Sequence, residues 1–132
     1  MLNSQASAAT MSSLLDAVSA ANTAAATSGS GKWLDVRPYD GEILVIQQIG
    51  ALGGTTPAIA GKLQSATDAN GTGAADISGA TFTSVSASNN TQSVAIDPRK
   101  VTGGFLGYVG TITGTTPTVL VSVVAGGKKK IV

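Results

Sequence analysis

The residues best suited to chemistry in this chain are seven carboxylates: Asp16, Asp35, Asp40, Glu42, Asp68, Asp76 and Asp97. A glycoside hydrolase would need two of them flanking a groove. Asp40 and Glu42 point to the same side of an extended segment, but they bracket the turn residue Gly41, and their placement fits solvated surface groups. Asp35 and Arg37 stand two residues apart on one strand face, so they can pair with each other or across strands in a structural role. The chain has no His and no Cys. The commonest general base, the commonest metal ligand and the thiolate nucleophile are therefore missing. Asp68-Ala69-Asn70-Gly71 opens like a calcium loop, but Thr72 takes the next position and no Glu closes the loop. The segment reads as an Asn-Gly turn. The glycines around Gly50, Gly53 and Gly54 form no phosphate loop, because no Gly-Lys-Ser/Thr follows a strand and opens a helix. No catalytic residue, metal ligand or cofactor is assigned, and an enzyme is not expected.

The elements that would position these groups are strands. Gly54-Thr55-Thr56-Pro57 recurs as Gly114-Thr115-Thr116-Pro117, and each copy lies between β-branched runs. Gly admits positive φ, while Pro fixes φ and donates no hydrogen bond, so each copy reads as a strand-loop-strand corner. The strongest strand is Glu42–Ile49, apolar on both faces over Ile43–Ile46 and hence central. Ala58–Ser65 is its hairpin partner, and Phe105–Ala125 is a second hairpin. Lys32–Arg37, Thr81–Val85 and Gln92–Asp97 read as shorter strands, Tyr39-Asp40-Gly41 as a turn and 66–79 as a loop. Ser12–Ser19 favours a strand, with a helix through Met11, Leu14, Leu15 and Val18 as the alternative. In a sixty-residue register Leu52 corresponds to Ile112 and Ile59 to Val119, which fits either an old duplication or two hairpins that converged on similar turns. The expected fold is all-β: one antiparallel β-sandwich or jelly-roll-like domain of seven to eight short strands. Residues 1–31 form an extended N-terminal arm, 32–125 the sandwich and 126–132 a basic tail.

Composition narrows the partners. Only 11 % of residues are charged, against roughly 25 % in typical globular domains. Net charge is +1, and without Lys128, Lys129 and Lys130 the rest is mildly acidic. No basic face for nucleic acid can be drawn. No apolar run reaches the roughly 18 residues of a membrane span, and the N-terminus lacks the basic and apolar regions of a signal peptide. Such a surface suits packing against other surfaces. Candidate interface residues are Leu14, Leu15 and Val18 of the arm, Trp33 and Tyr39, and Lys128, Lys129, Lys130 and Ile131 of the tail. Trp33 and Tyr39 fit a platform that stacks sugars, or Trp33 packs under a sheet edge or anchors a subunit contact. Ile131 suits a strand added to a partner.

Over residues 12–125 the chain resembles small structural proteins of tailed bacteriophages, including capsid cement or decoration proteins. The resemblance rests on Leu14-Leu15-Asp16-Ala17-Val18, Leu34-Asp35-Val36-Arg37 before Tyr39-Asp40-Gly41, both Gly-Thr-Thr-Pro segments, Gly79-Ala80-Thr81-Phe82, and Ile96-Asp97-Pro98-Arg99-Lys100 before the strand carrying Tyr108. Such proteins often carry a Ser-Asp-Asp-Gly-like turn, of which Ser65-Ala66-Thr67-Asp68-Ala69-Asn70-Gly71 is a looser version. The resemblance implies a homotrimer on the capsid exterior, bound to the major capsid protein by arms that order on contact. A host-glycan-binding or fibre- or tail-associated virion module is the alternative.

Overall fold

A computed structural model describes residues 9–20, 24–27 and 31–129 of the chain. Its seven strands are β1 (Ala9–Ala20), β2 (Ala24–Ala26), β3 (Leu34–Asp35), β4 (Tyr39–Ala66), β5 (Ala75–Thr81), β6 (Asn90–Ile96) and β7 (Phe105–Lys129), with a short 3-10 turn at Pro98–Lys100. The pairings are antiparallel.

Two strands organise the rest. β4 has 28 residues and β7 has 25. They pair with one another from Tyr39↔Lys129 to Ala66↔Phe105, forming one long ribbon. A straight strand of that length would run about 90 Å, several times the radius of a domain this size. The ribbon instead folds over. Gln47, before the first Gly-Thr-Thr-Pro segment, accepts a hydrogen bond from the hydroxyl of Tyr108, which precedes the second. Residues in opposite arms of the ribbon thus face each other across the core.

The fold-over lies where the two Gly-Thr-Thr-Pro segments meet. Thr55 pairs with Thr115, and the register shifts on both sides of that pair. Gly54 and Thr56 have φ of 94° and 49°, and Gly114 and Thr116 have 125° and 46°. A side chain at Gly114 would start 2.8 and 2.9 Å from the carbonyl oxygens of Thr56 and Thr55, and Gly54 sits in the same way against Thr116 and Thr115. Around this point Leu52↔Val119 matches Ile59↔Ile112, and Gly53↔Thr118 matches Ala58↔Thr113. The sixty-residue repeat is therefore a local two-fold, with each copy bending against the other.

The two arms form two layers. In the first, β1 and β6 flank the ribbon through residues 119–128 of β7 and 43–49 of β4. In the second, β2 and β3 pair with β7, and β5 pairs with β4. Between them lies one core, with Ile43, Val45, Ile49, Val119, Val121 and Val123 on one side and Ile59, Leu63, Leu106, Tyr108 and Ile112 on the other. Thr27 ties the layers at one edge: its hydroxyl donates to the Leu14 carbonyl (2.7 Å) and accepts from the Tyr108 amide (2.9 Å).

The all-β, sandwich-like class agrees with the expectation, but several elements do not. The Gly-Thr-Thr-Pro segments are not hairpin tips, because the strands run on through them. Phe105–Ala125 is one strand, and Tyr39-Asp40-Gly41 belongs to β4. The segment 66–79 contains most of β5, where Ile77 supplies the buried contact, and beyond Thr81 only Val85 bridges, to Ile59. Lys32–Arg37 pairs only at Leu34–Asp35. Two strands are long rather than short. The N-terminal arm holds β1, whose Leu14 is in the core, and also β2. Lys128 and Lys129 continue β7 rather than opening a separate tail.

Candidate functional site

Trp33 lies flat on the outer face of the second layer. Gly107 leaves the sheet bare beneath it, since any side chain there would overlap the indole ring. From above, the ring is covered by the 67–73 loop, with Nε1 only 2.6 Å from where a side chain at Gly71 would begin. The Trp33 amide donates to the Ala69 carbonyl (3.1 Å), and the Gly31 amide donates to Asn70 Oδ1 (3.1 Å). Asp68 shapes this loop by accepting from the Thr72 hydroxyl and from the amides of Asn70 and Thr72. Those bonds, the Thr72 hydroxyl first, hold its carboxyl below the usual range. Its oxygens close the loop instead of converging on a cation. Tyr39 is also interior, with its ring against Gly127 and its hydroxyl buried without a partner. Neither aromatic is presented to solvent, so together they form no sugar-stacking platform and no exposed anchor. For Trp33 this is packing within the sheet rather than exposure, and bare glycines in the neighbouring strand make room for both rings.

Four acidic residues, Asp35, Asp40, Glu42 and Asp97, gather at one end. Asp35 and Arg37 form a two-pronged pair (2.8 Å for each prong), and Asp97 and Arg99 repeat it, with Asp97 also capping the 3-10 turn. Arg37 lies 5.1 Å above the Phe105 ring. Hydrogen bonds from Arg37 hold Asp35 below its ordinary range, and those from Arg99 bring Asp97 down to about 2. A cleft of about 540 Å³ lies between these pairs, with Asp40 and Glu42 on its wall. Asp76 is likewise pushed down, by Gln64 and then Lys62. A general acid at neutral pH needs the opposite shift. None of Asp35, Asp68, Asp76 and Asp97 is placed to donate a proton.

The two outer faces of the sandwich differ. The second layer carries the Lys62–Asp76 ion pair (3.0 Å), the Gln64–Asp76 hydrogen bond (2.8 Å) and the Trp33 lid. The first layer carries Leu44 and Leu120, 37 % and 43 % exposed, with half-buried Ile46 and Val124 between them. Gln48, Thr91, Ser93, Ala95 and Ser122 surround them, so no charged side chain interrupts the face over 44–50, 91–95 and 120–124. Gly50 lets Leu120 settle beside it, and a shallow depression of about 370 Å³ lies there, lined also by Asn89 and Thr91.

Of the residues expected at interfaces, Leu14 is buried and Leu15 packs against the core. Val18 pairs with Val121 through the backbone. Lys128 and Lys129 are exposed, opposite Asp40 and Tyr39 of β4. Lys130 and Ile131 lie outside the described residues. The apolar face was missed, although its signal was present: the run Ile43–Ile46 is apolar on both faces, and in this fold only one of them is covered.

No known family model matches the chain, and no curated protein matches it.

Proposed function

We propose that this chain is a non-enzymatic virion protein that cements a phage capsid from outside, with the first-layer face seated on the major capsid protein. The observation that carries this reading is the contrast between the two outer faces. One is charged and closed by the chain's own loop and Trp33. The other, over 44–50, 91–95 and 120–124, has no charged side chain and displays Leu44, Ile46, Leu120 and Val124. An uncharged patch with an apolar centre and a polar rim suits a protein partner. The resemblance to capsid decoration proteins supplies the class of that partner.

The test compares particles with and without the protein under heat or chelator challenge, together with particles carrying Leu120→Lys. Native protein should bind shells and raise the temperature of genome release. Leu120→Lys should stay folded but bind at least tenfold more weakly. Equal survival of bare and decorated particles, or full binding by Leu120→Lys, would overturn the reading.

A further inference from the structure

Among the described residues the sheet has several open edges, and all but one are blunted. Unpaired strand edges invite pairing with another chain, and proteins ordinarily protect them by brevity, irregular register, charge or proline. β2 and β3 have three and two residues. The register of β1 breaks twice, between Ser13 and Leu15 and between Leu15 and Val18. β5 breaks opposite Lys62 and Gln64 and carries Asp76. β6 has none of these defences. It pairs with β4 over seven consecutive positions, Asn90↔Ile49 to Ile96↔Ile43, without a shift. Its sequence, Asn-Thr-Gln-Ser-Val-Ala-Ile, contains no charge, no proline and no glycine. Gln92 ties it to Thr83, accepting from the Thr83 amide and donating to the Thr83 carbonyl at 2.8 Å each. Val94 is left half-buried against the core.

We infer that β6 is the edge through which two copies of this chain join, antiparallel, across a two-fold axis at Ser93. A two-fold perpendicular to the sheet always sets a strand antiparallel to its own copy, so one edge suffices and both partners contribute the same surface. Centring on Ser93 overlaps all seven residues. Asn90 then lies opposite Ile96 of the second copy, and Gln92 opposite Val94, so each half-buried Val94 gains a cover. With no charge on the strand, the copies meet without like-charge repulsion. The first layers of the two copies become one sheet, and their apolar outer faces lie side by side. This inference does not depend on the capsid reading. It gives a dimer in solution, where the resemblance implies a trimer.

The chain has no Cys, which makes the test direct. Directly opposed residues bring Cβ atoms to about 4.5–5.5 Å, within reach of a disulfide after small adjustment. Light scattering coupled to size exclusion should give about 26 kDa for two 12.9-kDa chains. Ser93→Cys should oxidise to a covalent dimer at least tenfold faster than Thr113→Cys, an exposed control on β7 opposite Ala58. Ser93→Lys sets two lysines at the axis and should run as a monomer. Ser93→Glu should do the same, and an equimolar mixture of the two should recover the dimer. Circular dichroism and Trp33 emission identify any variant that has unfolded, and the wild-type mass and cysteine rates stand without it. A monomeric wild type, a mass near 39 kDa, equal oxidation rates, or a folded Ser93→Lys that still dimerises would each overturn the inference.

Discussion

Replacing Gly54 by Ala distinguishes a folded ribbon from a pair of exposed hairpin tips. Gly54 has a φ of 94°, which alone disfavours a side chain by about 1–2 kcal/mol. In the ribbon there is a second cost. The new methyl would meet the Thr115 carbonyl oxygen at 2.8 Å and the Thr116 carbonyl carbon at 2.9 Å. Both are backbone atoms of the paired strand, so no flexible side chain can move aside, and overpacking adds about 1–3 kcal/mol. Gly79 supplies the reference, with a φ of 77° and nothing within 4 Å of the same position. Gly79→Ala should therefore show the backbone cost alone, while Gly54→Ala should lose about 2 kcal/mol more. At roughly 3–5 °C per kcal/mol for a domain of this size, the two melting temperatures should differ by about 6–10 °C. Gly114→Ala should behave like Gly54→Ala, because the corners are related by a local two-fold. Thermal unfolding followed by circular dichroism, checked by urea titration, makes the measurement. Equal melting points for Gly54→Ala and Gly79→Ala would refute the close contact between the corners.

Three other perturbations probe separate parts of the molecule. Gln47→Leu and Tyr108→Phe should each destabilise by about 1–3 kcal/mol by stranding a buried partner, while the double variant should recover most of that loss; strictly additive losses in a denaturant cycle would argue against the pair. Gly107→Ala should push the Trp33 ring off the sheet and shift its emission to the red, and because Trp33 is the sole tryptophan, an unmoved maximum would contradict its seat on Gly107. Stability should be flat from about pH 5 to 9 and fall at both ends. Asp35, Asp68, Asp76 and Asp97 titrate lower when folded than the unfolded value of about 3.9, so the unfolded chain binds more protons between about pH 4 and 2 and stability declines as pH drops through that window. Burial raises the Tyr108 hydroxyl, so the unfolded chain releases its proton first and stability falls as pH climbs past about 10. Urea titrations across pH check both limbs.

Strand content was legible because alternation and β-branching report burial on a pleated surface. Ile43, Val45 and Ile49 announced the first layer, and Gln92–Asp97 fell within two residues of β6. The Asp35–Arg37 pair was legible because its two partners are close in sequence. The matching Asp97–Arg99 pair, with the same spacing, went unread. Pairing was harder. A Gly-Thr-Thr-Pro segment with positive φ looks the same whether one strand reverses or two bend together, because the deciding contact is between segments sixty residues apart. β5 was hidden for a different reason: it buries only Ile77 and Ala80 against β4, and its Ala, Ser and Gly read as loop. What seats Trp33 and Tyr39 was not legible, because an aromatic can be accommodated by a distant glycine as readily as by another large side chain. Gly107 and Gly127 do that here, and neither is near its aromatic in sequence.

The long ribbon also governs when this protein can fold. β1, β2 and β3 all pair with β7, and β4 takes β7 along nearly its whole length. β7 follows all of them in the chain. As the polypeptide leaves the ribosome, four of the first six strands wait without their principal neighbour, and only β5 and β6 can be laid against β4. The nearest ribbon contact, Ala66 with Phe105, already spans some forty residues, and the farthest, Tyr39 with Lys129, some ninety. Closure must begin at the Ala66 end and travel toward Tyr39, because each earlier pair shortens the loop that the next must close. Folding of such non-local strand order belongs to the slow end of the two-state range, milliseconds to seconds. During synthesis the apolar run Ile43–Ile46 therefore has only β6 beside it until β7 emerges, and the core it belongs to closes last.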